Sequence, residues 1–287
     1  MTEETKPVEV AVKPATQQIA TTGAVLKPVG TVAAQPVKRP APNAKAAMFG
    51  RYAPANIQRN FKMLLVGDSG SGKTSMAATF PNPLFIDLDN GMRSVANLNL
   101  LRYPADPEKV IESYSEVEEV RQELIKMLKA GNAPFQTVVI DGLNDLREKI
   151  MKYTLGEFDA DRLYEDQPTL NDYGKLKRET LTTFYNFLEL PCNVVFICSA
   201  AIPKYEDDKI FPDLGSTTTE ICRKVDAGGY CYTTVSSKPN EAPKVNHVVS
   251  FADNPKFWAK DRLGIGPQLR RNTYAALWPK TGQAATE

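Results

Sequence analysis

The stretch KMLLVGDSGSGKTSMAATF, Lys62–Phe80, governs the reading of everything around it. KMLLVG is a short apolar run closed by glycine, as in a buried strand. A turn of glycine and serine follows, then KTSMAATF, which reads as a helix. Gly67 to Thr74 fit the pattern G-x-x-x-x-G-K-[ST], which has a physical basis. Its glycines let successive backbone N–H groups wrap an anion, and the N-terminus of the next helix adds a favourable dipole. Gly67, Asp68, Ser69, Gly70, Ser71, Gly72, Lys73, Thr74 and Ser75 are therefore expected around the phosphates of a nucleotide. Lys73 would reach the β- and γ-phosphates and the Thr74 hydroxyl would hold Mg²⁺.

Such a loop needs a second metal anchor at the end of another strand. TVVID, residues 137–141, offers Asp141 after four apolar or β-branched residues. A carboxylate there grips Mg²⁺, often through its water; a turn former at a strand end is the alternative. LFIDLD, residues 84–89, follows the P-loop helix closely and suits the neighbouring strand. That leaves Asp87 and Asp89 to orient an attacking water. Side chains alternate along a strand, so the two are expected on one face. Asp89, one step beyond the strand and before Asn90-Gly91, is the better placed; by spacing alone, turn capping by Asp-Asn-Gly accounts for it equally well.

Farther out, strands and helices alternate. Asp106-Pro107 predicts a helix start with a cap and an N1 proline. Val110, Tyr114, Val117, Val120, Leu124 and Leu128 recur at spacings of three and four, and Gly131 ends that helix. Residues 169–190 predict another amphipathic helix through Tyr173, Leu176, Phe184 and Phe187, and NVVFICSA, residues 193–200, a fourth strand. Apolar strands alternating with helices give an α/β fold, a mostly parallel sheet flanked by helices on both faces. After Ser199, GGYCYTTVSS, KVNHVVSFAD and KFWAKDR are strand-like, so an antiparallel β extension of the same sheet is expected on the C-terminal side.

The chain has 287 residues, 42% hydrophobic and 24% charged, with a formal net charge of +1, so no global basicity points to nucleic acid. Cys192, Cys198, Cys222 and Cys231 form no C-x-x-C pair and read as buried thiols of a reducing compartment. With His247 the single histidine, no zinc site is expected. The N-terminus MTEETKPVEV has no signal pattern, and no apolar run approaches the ~18 residues of a membrane span, so a cytoplasmic location without membrane contact is expected. Residues 1–46 hold nine Ala, six Pro and no aromatic residue, with six Lys or Arg against three Glu. Such a segment cannot offset its ordering entropy and reads as a disordered Ala/Pro-rich arm, either a solubilising tail or a tether for a partner protein or nucleic acid. The globular part is expected over 47–278, followed by a flexible tail, 279–287.

Two P-loop classes fall away. Ras-type GTPases need D-x-x-G and N-K-x-D, whereas Gly-Leu-Asn follows Asp141 and no N-K-x-D occurs. Small-molecule kinases need an arginine-bearing lid, whereas PKYEDDKIFPD, residues 203–213, is acidic and lacks arginine. The order P-loop, FIDLD, long helix, VVID, helix, VVFICSA, then strands ending in K-x-R resembles the RecA-like ATPase core. In particular it is similar to the phage-encoded, shortened RecA-like proteins of the Sak group, described as single-strand annealing or recombination proteins. The resemblance covers residues 60–270 and rests most on FIDLDNG and AKDRLG. It implies ATP and Mg²⁺ as cofactors. It also implies Asp89 as the water-positioning acid, where relatives usually carry glutamate, and Ser199 as γ-phosphate sensor, where relatives often carry glutamine or histidine. KDRLG is similar to the K-N-R-F-G motif of bacterial RadA. That likeness implies that Lys260 and Arg262 reach a neighbouring subunit's nucleotide as an arginine finger. By spacing alone, a solvated strand end paired to acids is the alternative.

The resemblance further places loops against nucleic acid. Ala200–Ser216 carries Lys204, Tyr205, Lys209 and Phe211, cations and aromatics suited to single-stranded DNA, interrupted by Glu206, Asp207 and Asp208. The loop 157–172 is acidic, and YGKLKR adds Lys175, Lys177 and Arg178. Phe49 and Tyr52 lie where RecA-like filaments dock on the next subunit; core packing explains them equally well. The expected protein binds ATP, assembles head to tail as a homo-oligomer on single-stranded DNA, and promotes annealing or recombination with Mg²⁺-dependent hydrolysis. The alternative is an ATPase that loads or regulates a protein partner without touching DNA.

Overall fold

The computed structural model of the chain describes residues 60–95, 97–98, 100–156, 168–205, 207–237, 243–269 and 273. These lie in the unit Ile57–Glu287. The arm, Phe49, Tyr52, most of the acidic loop 157–172 and the tail fall outside them. Among the described residues no helix is long and apolar enough to cross a membrane.

Five strands, β1 (Lys62–Gly67), β2 (Pro83–Asp87), β3 (Leu101–Tyr103), β4 (Thr137–Asp141) and β5 (Asn193–Ser199), run parallel in the order β3-β2-β4-β5-β1. All of β4 and all but the last residue of β5 are buried, as an interior sheet requires. Leu64, Val66, Val138, Ile140, Val194 and Phe196 face one apolar layer, while Met63, Leu65, Val139, Val195 and Ile197 face the other. The first layer is covered by α2 (Tyr114–Ala130), α3 (Leu143–Gly156), α4 (Leu170–Leu188) and α5 (Thr218–Lys224). The second is covered by α1 (Lys73–Ala77) and a 3₁₀ turn, Gly91–Val95.

The antiparallel extension is present in the same sheet. β6 (Ala227–Ser236) joins β1 in parallel, β7 (Lys244–Ser250) returns antiparallel to it, and β9 (Gln268–Leu269) pairs with β7. KFWAKDR contributes only the two-residue β8 (Lys260–Asp261), against β6. The reason lies in the aromatic pair ahead of it. The Phe257 ring stacks on Tyr230 at 4.3 Å, and the Trp258 indole lies over Gly228 so closely that a Cβ there would meet it at 2.1 Å. Ahead of Lys260 the backbone pairs instead with Ile210, whose N–H donates to the Lys256 carbonyl at 2.9 Å and whose carbonyl accepts from the Trp258 N–H at 2.8 Å.

Two helix details differ from expectation. α2 begins at Tyr114, not near Asp106, because Ser113 is extended and its hydroxyl accepts from the Glu116 N–H at 3.2 Å. Asp106 caps a turn instead, accepting from the Glu108 N–H at 3.0 Å. In α4 the Thr169–Asp172 capping box sets the start, and Tyr173 is 53% exposed while Leu176, Thr180, Phe184 and Phe187 face the core. All four cysteines are free and buried.

The Phe184 and Phe196 rings, both fully buried, lie 4.6 Å apart where α4 meets β5. Phe196→Ala should lower unfolding free energy by about 3–5 kcal/mol in a denaturant titration. A loss below about 1 kcal/mol would contradict this packing.

Candidate nucleotide-binding site

The carboxyl ends of β1, β5, β4 and β2 open on one cleft of about 400 Å³, where ligands bind in open parallel sheets. Ser69, Gly70, Gly72, Lys73, Thr74 and Ser75 form one wall. Gly67, Asp68 and Ser71 do not line it: Gly67 and Ser71 are buried and Asp68 is exposed. At Gly67 a Cβ would sit 2.3 Å from the Cys231 carbonyl oxygen, so only glycine lets β1 turn into the loop beside β6. Gly70 and Gly72 take positive φ, 75° and 93°. Ser71 Oγ is buried with no hydrogen-bond partner among the described residues. The Lys73 ammonium donates to the Gly67 and Asp68 carbonyls, each at 2.8 Å, and so is held over the loop. α1 has only five residues, so the loop's own amides and Lys73, more than a macrodipole, make the anion cradle.

Across the cleft the Thr74 hydroxyl donates to Asp141 Oδ2 at 2.9 Å. Asp141 is buried at the end of β4, and its carboxyl is pushed up to about 7 by burial and then by Asp89, against the Thr74 bond and Lys73. Asp89 and Asp145 line the same space. Burial, then Asp89, also pushes Asp145 up. The Thr74 hydroxyl and the Asp141 carboxyl offer oxygen donors side by side, which fits a hard cation such as Mg²⁺. Thr74 and Asp141 are the residues that would hold it.

Asp87 and Asp89 part company because β2 ends at Asp87, so strand alternation no longer relates them. Asp87 is fully buried and forms an ion pair with Arg102 at 2.8 Å. Its other oxygen accepts from the Gly91 N–H at 3.1 Å. Arg102 also donates to Asn90 Oδ1 and to the carbonyls of Asp106 and Lys109. The turn that carries Asp89 is thus pinned from behind. Asp89 itself accepts from the Gly91 N–H at 2.8 Å and stands in the cleft, a turn cap and a cleft carboxylate at once.

Ser199 ends β5 at the cleft, its N–H donated to Asn144 Oδ1 at 2.8 Å. Asn144, Asp145, Ser94 and His247 also line the cleft and were not foreseen. Asn144 and Asp145 follow Asp141 closely enough that helix geometry signals them, whereas His247 enters only through β7, opposite Thr233 of β6.

Expected beside Arg262 as a second outward cation, Lys260 turns inward. Its ammonium donates to the Cys222 and Arg223 carbonyls at 2.9 and 2.7 Å, capping the end of α5. Burial and then Arg262 lower its pKa. Arg262 is exposed, and neither residue lines the chain's own cleft. In the 200–213 loop, Lys204 and Tyr205 are exposed, but Lys209 pairs with Asp253 at 2.6 Å beside the Phe211 ring.

A family model described as an AAA domain matches residues 59–263. Among curated proteins the chain is 19% identical over 148 residues to the SPbeta prophage-derived uncharacterized protein YorG of Bacillus subtilis (strain 168), covering 52% of this chain and 43% of that protein. The chain therefore spans less than half the length of that relative. Among solved structures, a KaiC-like protein from the hyperthermophilic archaeon Pyrococcus horikoshii OT3 aligns over 67% of this chain and 79% of its own, with 14% identity and a TM-score of 0.38.

The raised Asp141 carboxyl has a definite sign. The fold favours the neutral acid, so its contribution to stability is greatest below about pH 4 and is lost as pH rises from 3.8 through about 7. Metal binding needs the carboxylate, so Mg²⁺ affinity should rise across the same window. Asp141→Asn should unfold later than the parent at pH 8, by an amount on the order of a few kcal/mol, and should lose Mg²⁺-dependent nucleotide affinity. Thermal unfolding at pH 5 and pH 8, with calorimetric titration of Mg²⁺-nucleotide, checks both; a variant less stable than the parent at pH 8 contradicts the assignment.

Proposed function

The chain belongs to the AAA domain family of P-loop ATPases, and from that premise we propose that it hydrolyses ATP with Mg²⁺ while assembled head to tail on single-stranded DNA, where it promotes annealing or recombination. The observation that carries the reading is the convergence of Lys73, Thr74, Asp141, Asp89 and Ser199 on one cleft. Lys73 exchanges its loop carbonyls for the β- and γ-phosphate oxygens. Thr74 and Asp141 would hold Mg²⁺, whose charge would supply electrostatic stabilisation for phosphoryl transfer. Asp89, pinned by its turn but free toward the cleft, orients the attacking water. Ser199 senses the terminal phosphate from the tip of β5.

Arg262 supports the assembly part: an exposed cation outside its own cleft suits a neighbour's. A contact of that kind is heterologous and builds rings or filaments. Lys260 then holds the strand against α5 while Arg262 carries the charge. Lys204 and Tyr205, exposed in the 200–213 loop, suit a phosphate backbone and a base face. Asp253 already neutralises Lys209, so phosphate contact falls to Lys204. The prophage-derived relative is consistent with a phage setting for such an activity.

Lys73→Ala and Arg262→Ala should each reduce DNA-stimulated ATP turnover by about 100-fold or more. An equimolar mixture of the two should recover part of the activity, because some interfaces pair an intact P-loop with an intact Arg262. Full activity of Arg262→Ala alone, or a mixture as inactive as its parts, would remove the shared site. Turnover and binding indifferent to both DNA and salt would instead remove the DNA reading.

A further inference from the structure

We propose that Asn144 is the positioning residue that couples the nucleotide cleft to the 200–213 loop; this rests on the nucleotide-binding reading above. Asn144 stands in the first turn of α3, three residues after Asp141, and faces the cleft. Both ends of its amide are used. Oδ1 accepts from the Ser199 N–H at 2.8 Å and from Cys198 Sγ at 3.3 Å, and Nδ2 donates to the Asp213 carbonyl at 2.6 Å.

Those partners are the two legs of one stem. The chain leaves β5 at Ser199 and returns at Asp213, whose N–H donates to the Ser199 carbonyl at 3.0 Å. One step out, the Ala201 N–H donates to the Phe211 carbonyl at 2.8 Å, and Ala200 bridges Pro212. Beyond the stem the loop exposes Ile202 (92%), Lys204 and Tyr205 (75%). A single amide thus clamps both legs to the turn that follows Asp141.

The chemistry of the joint is selective. A carboxylate at position 144 could still accept from Ser199 but would face the Asp213 carbonyl with another acceptor. An aliphatic residue would leave the Ser199 N–H without this acceptor. A terminal phosphate seated between Lys73 and Ser199 lies beside the joint and holds the β5 tip against Asn144; a diphosphate lacks the group that makes this contact. The difference biases the stem toward closure only in the triphosphate state, the differential interaction that coupling requires.

Amide hydrogen exchange on the full chain with Mg²⁺ tests the coupling, comparing a non-hydrolysable ATP analogue, ADP and no nucleotide. In the parent protein the analogue should slow exchange at Ala201 and Asp213 by at least about fivefold relative to ADP. Asn144→Ala should abolish that difference while nucleotide still protects residues 69–75. Asn144→Asp should keep protection at Ser199 and lose it at Asp213, which separates the two arms and serves if the alanine variant does not fold. Loop protection that is the same in the variants and the parent, or a parent loop that ignores the analogue while residues 69–75 respond, overturns the coupling alone. No protection of residues 69–75 in the parent overturns the nucleotide reading beneath it.

Discussion

One hydrogen bond, from the Thr74 hydroxyl to the Asp141 carboxylate, joins segments 67 residues apart. A bond of this kind contributes only about 1 kcal/mol to stability. Its importance is that it forms in one register of the sheet. Gly67 lies level with Ser199, and Asp141 level with Ile197, so the P-loop and the β4 carboxylate meet across the tip of β5. A one-residue slip would send Asp141 to the opposite face and Val138 and Ile140 into the wrong apolar layer. The two cores therefore specify the site, and the site adds little to the cores.

The cleft also separates acids of one type into different states. Asp87 spends its charge on Arg102 and the Gly91 amide. Asp141, buried without a cation of its own, is pushed toward neutrality. Asp89 stays in contact with solvent. Environment, not residue type, assigns a structural counter-ion, a buried acid pushed toward neutrality and a cleft carboxylate to three aspartates within one short neighbourhood.

Legibility in the sequence followed the range of the interaction concerned. The P-loop, the strand before it and Asp141 obey backbone rules that act over a few residues, and the apolar runs announced a sheet covered on both faces. The preference for Asp89 over Asp87 could be argued from position, but its cause, Arg102, lies on another strand. Lys260 looked like a free strand-end cation because nothing local reveals that α5 ends beneath it. Asp106-Pro107 imitated a helix start because a capped turn and a capped helix share their first hydrogen bonds, and the competing signal was Ser113 with Glu116. The double use of Asn144 depends on β5 and on residue 213, so no spacing rule discloses it.

The position of His247 has a practical consequence. The chain contains one histidine, and it faces the cleft from β7. Imidazole carbon-bound protons resonate apart from most other side-chain signals, so the unlabelled protein carries a single built-in spectroscopic reporter in the space that the P-loop encloses. Occupancy of the cleft can be followed at that one ring without tags or substitutions, in isolated subunits and in any assembly small enough to give sharp lines.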